Sequence, residues 1–165
     1  MLNITSAAVE AIRRHGTEGF PFEICGLLIG TIQGETRDVQ EAWPLRNAWE
    51  DDPEQRKAMF AEIEAEGGQA TADEWEAADT GRRFVVSPRD QMTASKRARG
   101  MGMDVVGVYH THPNHPAVPS AFDRSIAWEG WSYVILSVRD GRAAEFRSWV
   151  VENDGPFVEE VVNQG

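Results

Sequence analysis

Two histidines and one carboxylate stand close together in the segment HTHPNHPAVPSAFD, which runs from His110 to Asp123. His110 and His112 are neighbours at i and i+2, so on a β-strand both imidazoles would point to the same face, about 6.5–7 Å apart along the chain. Ser120 and Asp123 are i and i+3 at the start of a predicted helix, and they also share a face. Two histidines and one carboxylate, with a fourth position left for water, are the ligand set of a catalytic zinc site.

Each of these residues also has a simpler interpretation. A His-X-His pair on a strand is, taken alone, more often not a metal site, and Asp123 could cap the helix that Ser120 begins. His115 could be a further ligand, although its position among three prolines is more typical of a surface loop. The sequence has no HExxH motif, and its single cysteine excludes cysteine-rich zinc sites. Three further residues are expected only to pack: Cys25, Trp128 and Trp131.

The elements that would carry these residues are a mixture of helices and strands. Hydrophobic periodicity, capping residues and Gly or Pro breaks mark their boundaries. Helices are expected over residues 5–15, over 87–99 and over about ten residues after Ser120. Strands are expected over residues 24–32, 39–45, 83–86, 104–110, 132–138 and 143–151, with a short terminal helix or strand over 157–162. This order predicts an α/β domain of mixed, α+β-like type, with one central mixed sheet flanked by helices.

Negative charge is concentrated in one part of the chain. The 165 residues have the length of one domain and carry a net charge of −11. Residues 50–79 contain eleven acidic residues against Arg56 and Lys57, which is −9 and leaves −2 for the rest of the chain. We therefore expect a single domain over 1–165 with an acidic helical insertion at about 50–80.

This acidic insertion is predicted to form two short helices. The first begins at an Asp-Pro pair at Asp52, and the second has a capping box at Thr71. The apolar face of the first consists of Met59, Phe60 and Ile63. The carboxylates form either a solvated face or a docking surface for a basic partner. A chain this acidic is a poor candidate for binding DNA or RNA.

The composition excludes other classes of protein. No run of residues approaches the roughly eighteen apolar positions of a transmembrane helix, and no signal-peptide pattern is present. Because a single cysteine cannot form an intramolecular disulfide, the sequence favours a reducing compartment. We expect a cytoplasmic protein with no membrane or nucleic-acid partner, monomeric or homodimeric.

Taken together, the residues resemble the signature of the JAMM (MPN+) metalloproteases. That signature is HxHPx6SxxD, preceded far upstream by a glutamate that enters an apolar strand. It is matched here by Glu23 in PFEICGLLIG and by the segment from His110 to Asp123. The similarity extends to VVGVYHTHP, PSAFDRSIAW, SYVILSV and SPRD, and it covers most of residues 5–151, with 50–80 longer and more acidic than a minimal domain requires. The resemblance implies a single MPN/JAMM domain with a cytidine-deaminase-like fold.

The resemblance also implies a role for each matched residue. His110, His112 and Asp123 would bind one Zn²⁺ ion per chain and leave a position for water. Glu23 would take the water proton as general base. Ser120 would donate a hydrogen bond to the tetrahedral oxyanion.

The resemblance to this family also implies a class of substrate. Its members cleave peptide or isopeptide bonds that follow the C-terminal Gly-Gly of ubiquitin-like proteins. A compact single-domain form resembles the prokaryotic branch, where the partner is often a sulfur-carrier protein. The resemblance implies a zinc metallopeptidase of this kind. Alternatives stay open: a deubiquitinase-like isopeptidase acting on protein conjugates, a non-catalytic MPN scaffold, and a small-molecule amidase.

Overall fold

The computed structural model describes residues 1–50, 83–153 and 155–165, together with five isolated exposed positions between 54 and 65. Apart from those five positions, which are helical, the two helices predicted between residues 51 and 80 lie outside the described residues. The same holds for their predicted apolar face (Met59, Phe60 and Ile63) and for the capping box at Thr71.

In the described residues, three helices lie between single strands or groups of consecutive strands. The helices are α1 (Ser6–Gly19), α2 (Pro88–Gly100) and α3 (Ala121–Ser125), with a 3-10 turn at Ala48–Glu50. The strands are β1 (Leu2–Ile4), β2 (Cys25–Gln33), β3 (Thr36–Leu45), β4 (Asp104–Pro113), β5 (Ser132–Arg139), β6 (Arg142–Val151), β7 (Phe157–Glu160) and β8 (Val162–Gln164). None of the helices in this part of the chain has the length and apolar character that a membrane span requires.

All eight described strands form one mixed sheet in the order β7-β6-β5-β4-β2-β3-β1-β8. Strand β4 lies at its centre, antiparallel to β2 and parallel to β5. Strands β7 and β8 occupy opposite ends of this order, yet only Val161 separates them in the chain. The sheet must therefore curve until its two ends approach each other, and the predicted central mixed sheet is confirmed.

Each face of the sheet carries one hydrophobic core. Helix α1 covers the first core, which includes Ile12, Leu28 and Tyr109. Helix α2 covers the second, which includes Phe84 and Val108. A β-bulge in β4, where the register with β2 shifts between Leu28 and Ile29, sets which side chains of β4 reach each core. Beyond the bulge the alternation is regular, so His110 and His112 share the face of Val108.

Helix α1 continues past the predicted end at residue 15. Gly16 lies inside the helix, where a Cβ would come within 2.7 Å of Leu136 Cδ2 and 2.9 Å of Thr111 Cγ2. A glycine that usually weakens a helix is here the residue that lets α1 approach the sheet closely. The predicted end was wrong because tertiary packing outweighs the local propensity of glycine.

Two further predictions of secondary structure were wrong. Residues 83–86 are extended but form no strand, because their backbone bonds go to Asn47 and Ala48 and not to a neighbouring strand. Helix α3 ends at Ser125, well short of about ten residues. Its continuation is blocked because the Trp128 N–H donates to the Tyr133 hydroxyl, which in turn donates to the Trp128 carbonyl. The terminal element, predicted as helix or strand, is a pair of short strands, and β1 was not predicted.

Candidate metal site

Three side chains from two elements converge at the end of β4. The Nε2 atoms of His110 and His112 lie 3.1 Å apart. The Asp123 Oδ1 atom lies 3.1 Å from His110 Nε2, and its Oδ2 atom lies 3.4 Å from His112 Nε2. One ligand atom from each residue falls within 4.8 Å of the others, and all three residues are buried. Two imidazole nitrogens and a carboxylate oxygen at these separations could hold one metal ion.

The two histidines are fixed by the centre of the sheet. His110 pairs with Cys25 of β2 on one side and with Ile135 of β5 on the other. His112 pairs with Ser137 of β5. Because neighbouring strands constrain the backbone here, the imidazoles are held on one face as strand alternation predicts.

Asp123 is fixed by the capping box of α3. Its backbone N–H donates to Ser120 Oγ over 3.1 Å, and its Oδ2 atom accepts from the Ser120 backbone N–H over 2.6 Å. The other carboxylate oxygen, Oδ1, faces His110. The capping and metal-binding interpretations of Asp123 are thus compatible, because each uses a different oxygen as its principal contact.

The orientation of the His112 ring is set by a backbone carbonyl. Its Nδ1 atom lies 2.8 Å from the Pro116 carbonyl oxygen, which can only accept, so Nδ1 carries the hydrogen. The lone pair of the neutral ring is then on Nε2 and points at Asp123 and His110. This is the arrangement in which a second partner orients a metal-binding histidine.

The loop between His112 and Ser120 does not bring His115 to the group. His115 is exposed, as predicted for a surface loop residue. Its carbonyl accepts a 2.6 Å hydrogen bond from Ser137 Oγ, and Asn114 Oδ1 accepts from the Asp140 N–H. These bonds tie the loop to the end of β5 and so support the Pro116 carbonyl.

His110 is buried completely and stacks on Phe84. The ring centroids lie 4.2 Å apart with planes inclined by 20°. Burial lowers the pKa of His110 and outweighs the opposing effect of Asp123. His110 is therefore held neutral, which is the form that binds a metal.

The charges of the group favour a cation. Burial alone would raise the pKa of Asp123, but the two histidines hold it well below the usual range, so the carboxylate is ionised. Burial alone would lower the pKa of His112, but the hydrogen bond and charge of Asp123, the Pro116 carbonyl and the charge of Glu23 raise it. The donor set, two imidazoles and one carboxylate in a buried site, fits zinc among the common metals.

Glu23 lies beside this group, just before β2. The Thr111 N–H donates to the Ile24 carbonyl over 3.1 Å, and the Ile24 N–H donates to Thr111 Oγ1 over 3.0 Å. Because Cys25 pairs with His110, continuing the antiparallel register brings Glu23 opposite His112. Glu23 is only 8% exposed, and its charge acts on His112. The carboxylate that the sequence singled out is therefore close to the group.

Ser120 is an exposed residue at the start of α3. Its hydroxyl donates to Asp123 Oδ2 over 2.9 Å while accepting from the Asp123 N–H. The hydroxyl hydrogen is therefore directed at Asp123, and it would have to rotate away to donate elsewhere.

The residues expected only to pack do so. Cys25 is fully buried where β2 begins, and Trp131 packs against the second core. Trp128 is half-buried. By contrast, sequence analysis missed Phe84, which stacks on His110, and Asn47, which bonds to the Glu23 carbonyl. No motif spacing marks either residue, since both contacts join segments distant in the chain.

The chain is similar to known proteins over most of its length. The family model described as prokaryotic homologs of the JAB domain matches residues 5–152. A desampylase from Haloferax volcanii is 31% identical over 146 residues, which cover 86% of this chain and 83% of that protein.

Two solved structures are similar over nearly the whole chain. The solution structure of a protein from Desulfitobacterium hafniense has a TM-score of 0.72 and 28% identity, covering 100% of this chain and 93% of that one. The solution structure of a protein from Salinibacter ruber has a TM-score of 0.65 and 30% identity, covering 99% and 91%. The site residues thus lie in a fold that these proteins share.

Proposed function

Since the chain belongs to the prokaryotic JAB branch of the JAMM (MPN) family, we propose that it is a zinc-dependent metallopeptidase. Its substrate is the peptide or isopeptide bond after the C-terminal Gly-Gly of a ubiquitin-like or sulfur-carrier protein. The observation that carries this proposal is the convergence of His110, His112 and Asp123 within 4.8 Å, with Glu23 opposite His112. The 31% identity to the desampylase supports an enzyme that acts on a protein modifier.

The metal would be held by His110, His112 and Asp123. Zinc bound there supplies Lewis acidity and lowers the pKa of a water ligand to about 7. Two histidines, each neutral when it binds a metal, and a single carboxylate would not cancel the charge of the ion, so the site would keep its electrophilic character. The Pro116 carbonyl keeps the His112 ring in the orientation that this role needs.

Glu23 is the proposed general base. Its carboxylate takes a proton from the attacking water and passes it to the leaving amine. Its position opposite His112 and its burial support this role, because a base must lie within hydrogen-bond reach of the water that it deprotonates.

Ser120 is the proposed oxyanion donor. Its hydroxyl lies at the mouth of the group, bonded to Asp123 Oδ2. Rotation about the Cβ–Oγ bond would turn the hydroxyl hydrogen from Asp123 toward the carbonyl oxygen of the substrate as negative charge develops there. Loss of one such donor typically costs about 10²–10³ in rate.

The surroundings of His110 support an extended substrate tail. An apolar pocket lined in part by Phe84, Val108, Trp128 and Trp131 adjoins the group. Phe84 stacks on His110, and Val108 precedes it by two residues on the same face of β4. A tail that places its scissile bond at the metal would lay the preceding side chains along this pocket.

We expect one zinc ion per chain in protein purified without chelators. Elemental analysis of a sample with a known protein concentration measures the ratio of zinc to protein directly. A metal content below about a tenth of an equivalent, with no uptake of added zinc, would contradict the proposed site.

The acidic segment 51–80 is proposed to select the protein partner and not to support the core. The residues on either side of the segment are joined directly, since the Ala48 N–H donates to the Val85 carbonyl over 3.0 Å. Replacement of 51–80 by a short Gly-Ser linker should therefore keep the fold and the metal content. Surface charge acts mainly on association rate, so cleavage of a protein substrate should slow by about 10-fold to 10³-fold.

A short diglycine peptide is the matched substrate for this replacement, because it lacks the protein surface that the segment is proposed to recognise. Its cleavage should be unchanged, and raised salt should reduce the advantage of the parental protein on the protein substrate. Equal loss on both substrates would instead indicate a role in the core. No loss on either would indicate a solvated face.

A further inference from the structure

The side-chain amide of Asn47 joins three separate parts of the chain next to the metal site. Its Nδ2 atom donates to the Glu23 carbonyl over 3.2 Å and to the Arg83 carbonyl over 2.8 Å. Its Oδ1 atom accepts from the Val85 N–H and from the Trp49 N–H, each over 3.0 Å. These four bonds use both donors and both acceptor positions of the amide, so its orientation is fully determined.

One of these bonds acts on the peptide group that carries Glu23. The carbonyl of Glu23 accepts from Asn47, and the N–H of the same peptide group, on Ile24, donates to Thr111 Oγ1 over 3.0 Å. Glu23 precedes β2, so its carbonyl lies outside the regular ladder. The two side chains therefore fix both ends of one peptide plane, and with it the direction of the Glu23 side chain.

The other bonds act on the segment behind His110. Phe84 lies between Arg83 and Val85, the two residues whose backbone Asn47 holds. Its ring stacks on His110 with centroids 4.2 Å apart. A single amide thus ties the backbone of Glu23 to the backbone that presses Phe84 against the metal group.

We propose that Asn47 is a positioning residue that holds Glu23 in line with the metal group, an inference that rests on the proposed function. All four of these hydrogen bonds go to backbone groups, and none goes to a side chain of the metal group. Asn47 acts through the Glu23 carbonyl, and it holds the flanks of the acidic segment at the same point. Changes at Asn47 should therefore affect the chemical step more than metal binding or substrate binding.

Two variants distinguish the hydrogen bonds that the Asn47 amide donates from those that it accepts. Asn47→Ala removes all four hydrogen bonds. Asn47→Asp keeps the oxygen that accepts from Trp49 and Val85, but faces the Glu23 and Arg83 carbonyls with an oxygen in place of a donor. Both variants should lower kcat for a short diglycine peptide by about 10-fold to 100-fold, the usual effect of losing a residue that orients a reacting group. KM and zinc content should stay at parental values, because a base acts in the transition state.

Ser148→Ala is the matched control. It removes a buried hydroxyl that donates to Glu160 over 2.7 Å. Ser148 of β6 pairs with Val134 of β5, which pairs with Tyr109 of β4, so Ser148 lies two strands from β4. Val134 and Tyr109 belong to the first core, so Ser148 lies on the face of the sheet opposite the site. This control should lower thermal stability, because it leaves Glu160 without a buried donor, and should keep parental kcat.

The outcomes distinguish a failure of the proposed role of Asn47 from a failure of the proposed function. Parental kcat in Asn47→Asp, measured below its unfolding midpoint, would overturn the role of Asn47 and leave the proposed function intact. Loss of zinc in proportion to lost activity would overturn it as well, since the amide would then support the metal group. Absence of cleavage by the parental protein would overturn the proposed function itself. Reduced kcat with retained zinc and KM in Asn47→Asp supports the role even where Asn47→Ala does not fold.

Discussion

Replacement of His112 by alanine is expected to abolish metal binding and hydrolysis together. His110 and Asp123 would remain, but two protein ligands hold zinc far more weakly than three. The metal content should fall below about a tenth of an equivalent, and cleavage of a diglycine fusion should fall to the uncatalysed background. The backbone pairing of β4 with β5 does not depend on the imidazole, so the variant should remain folded.

His115→Ala is the matched control, because it removes the same side chain from an exposed position outside the group. It should keep both metal and activity. A thermal shift gives a readout independent of activity: metal at about 1,000 times its Kd adds about 4 kcal/mol to the parental free energy of unfolding. Zinc should raise the melting temperature of His115→Ala but not of His112→Ala. Full metal binding by His112→Ala would show that the ion is held elsewhere.

The candidate site was predictable because its geometry is local. His110 and His112 share a face through the two-residue period of a strand, and the capping box ties Asp123 to Ser120 within one turn. Both relations can be read from spacing alone. Glu23 required more, because only the antiparallel pairing of β2 with β4 brings it opposite His112, and the sequence singled it out only through the resemblance to the family.

The parts that escaped prediction depend on contacts between distant segments. Residues 83–86 have the β-branched and aromatic composition of a strand, but their backbone bonds go to Asn47 and Ala48. The stacking of Phe84 on His110 depends on these backbone bonds, and no local sequence pattern predicts it. Strand β1 is three residues long and is held by β3 and β8, which are distant in sequence. In each case the structure of the segment depends on a contact with a residue that is distant in the sequence.

Asp123 caps helix α3 and is also one of the three proposed metal ligands. The capping interactions reach Oδ2 from the Ser120 backbone and hydroxyl, which leaves Oδ1 toward His110. Replacement of this residue would therefore disturb the start of α3 as well as the metal group. Glu23 carries no such double role in the metal group, so it is the better position for separating binding from chemistry.

Replacement of Glu23 by glutamine is expected to stop turnover while the metal stays bound. Glutamine keeps the shape of a side chain that is only 8% exposed, and it removes the carboxylate that is proposed to accept the proton. The rate of hydrolysis should fall by at least about 10², the usual contribution of a general base. Zinc content should stay at parental levels, because the metal group consists of His110, His112 and Asp123. KM should change little, since a proton acceptor contributes in the transition state more than in substrate binding.

Glu18→Gln provides the matched control, with the same loss of charge at an exposed position near the end of α1. Both variants should be assayed on the same diglycine fusion, with zinc measured in the same samples. A Glu23→Gln protein that keeps its zinc and cleaves at the parental rate would show that another group takes the proton. Loss of zinc alongside activity would instead place Glu23 among the residues that hold the metal. Retained zinc, parental KM and a rate reduced by about 10² or more would assign Glu23 to the chemical step.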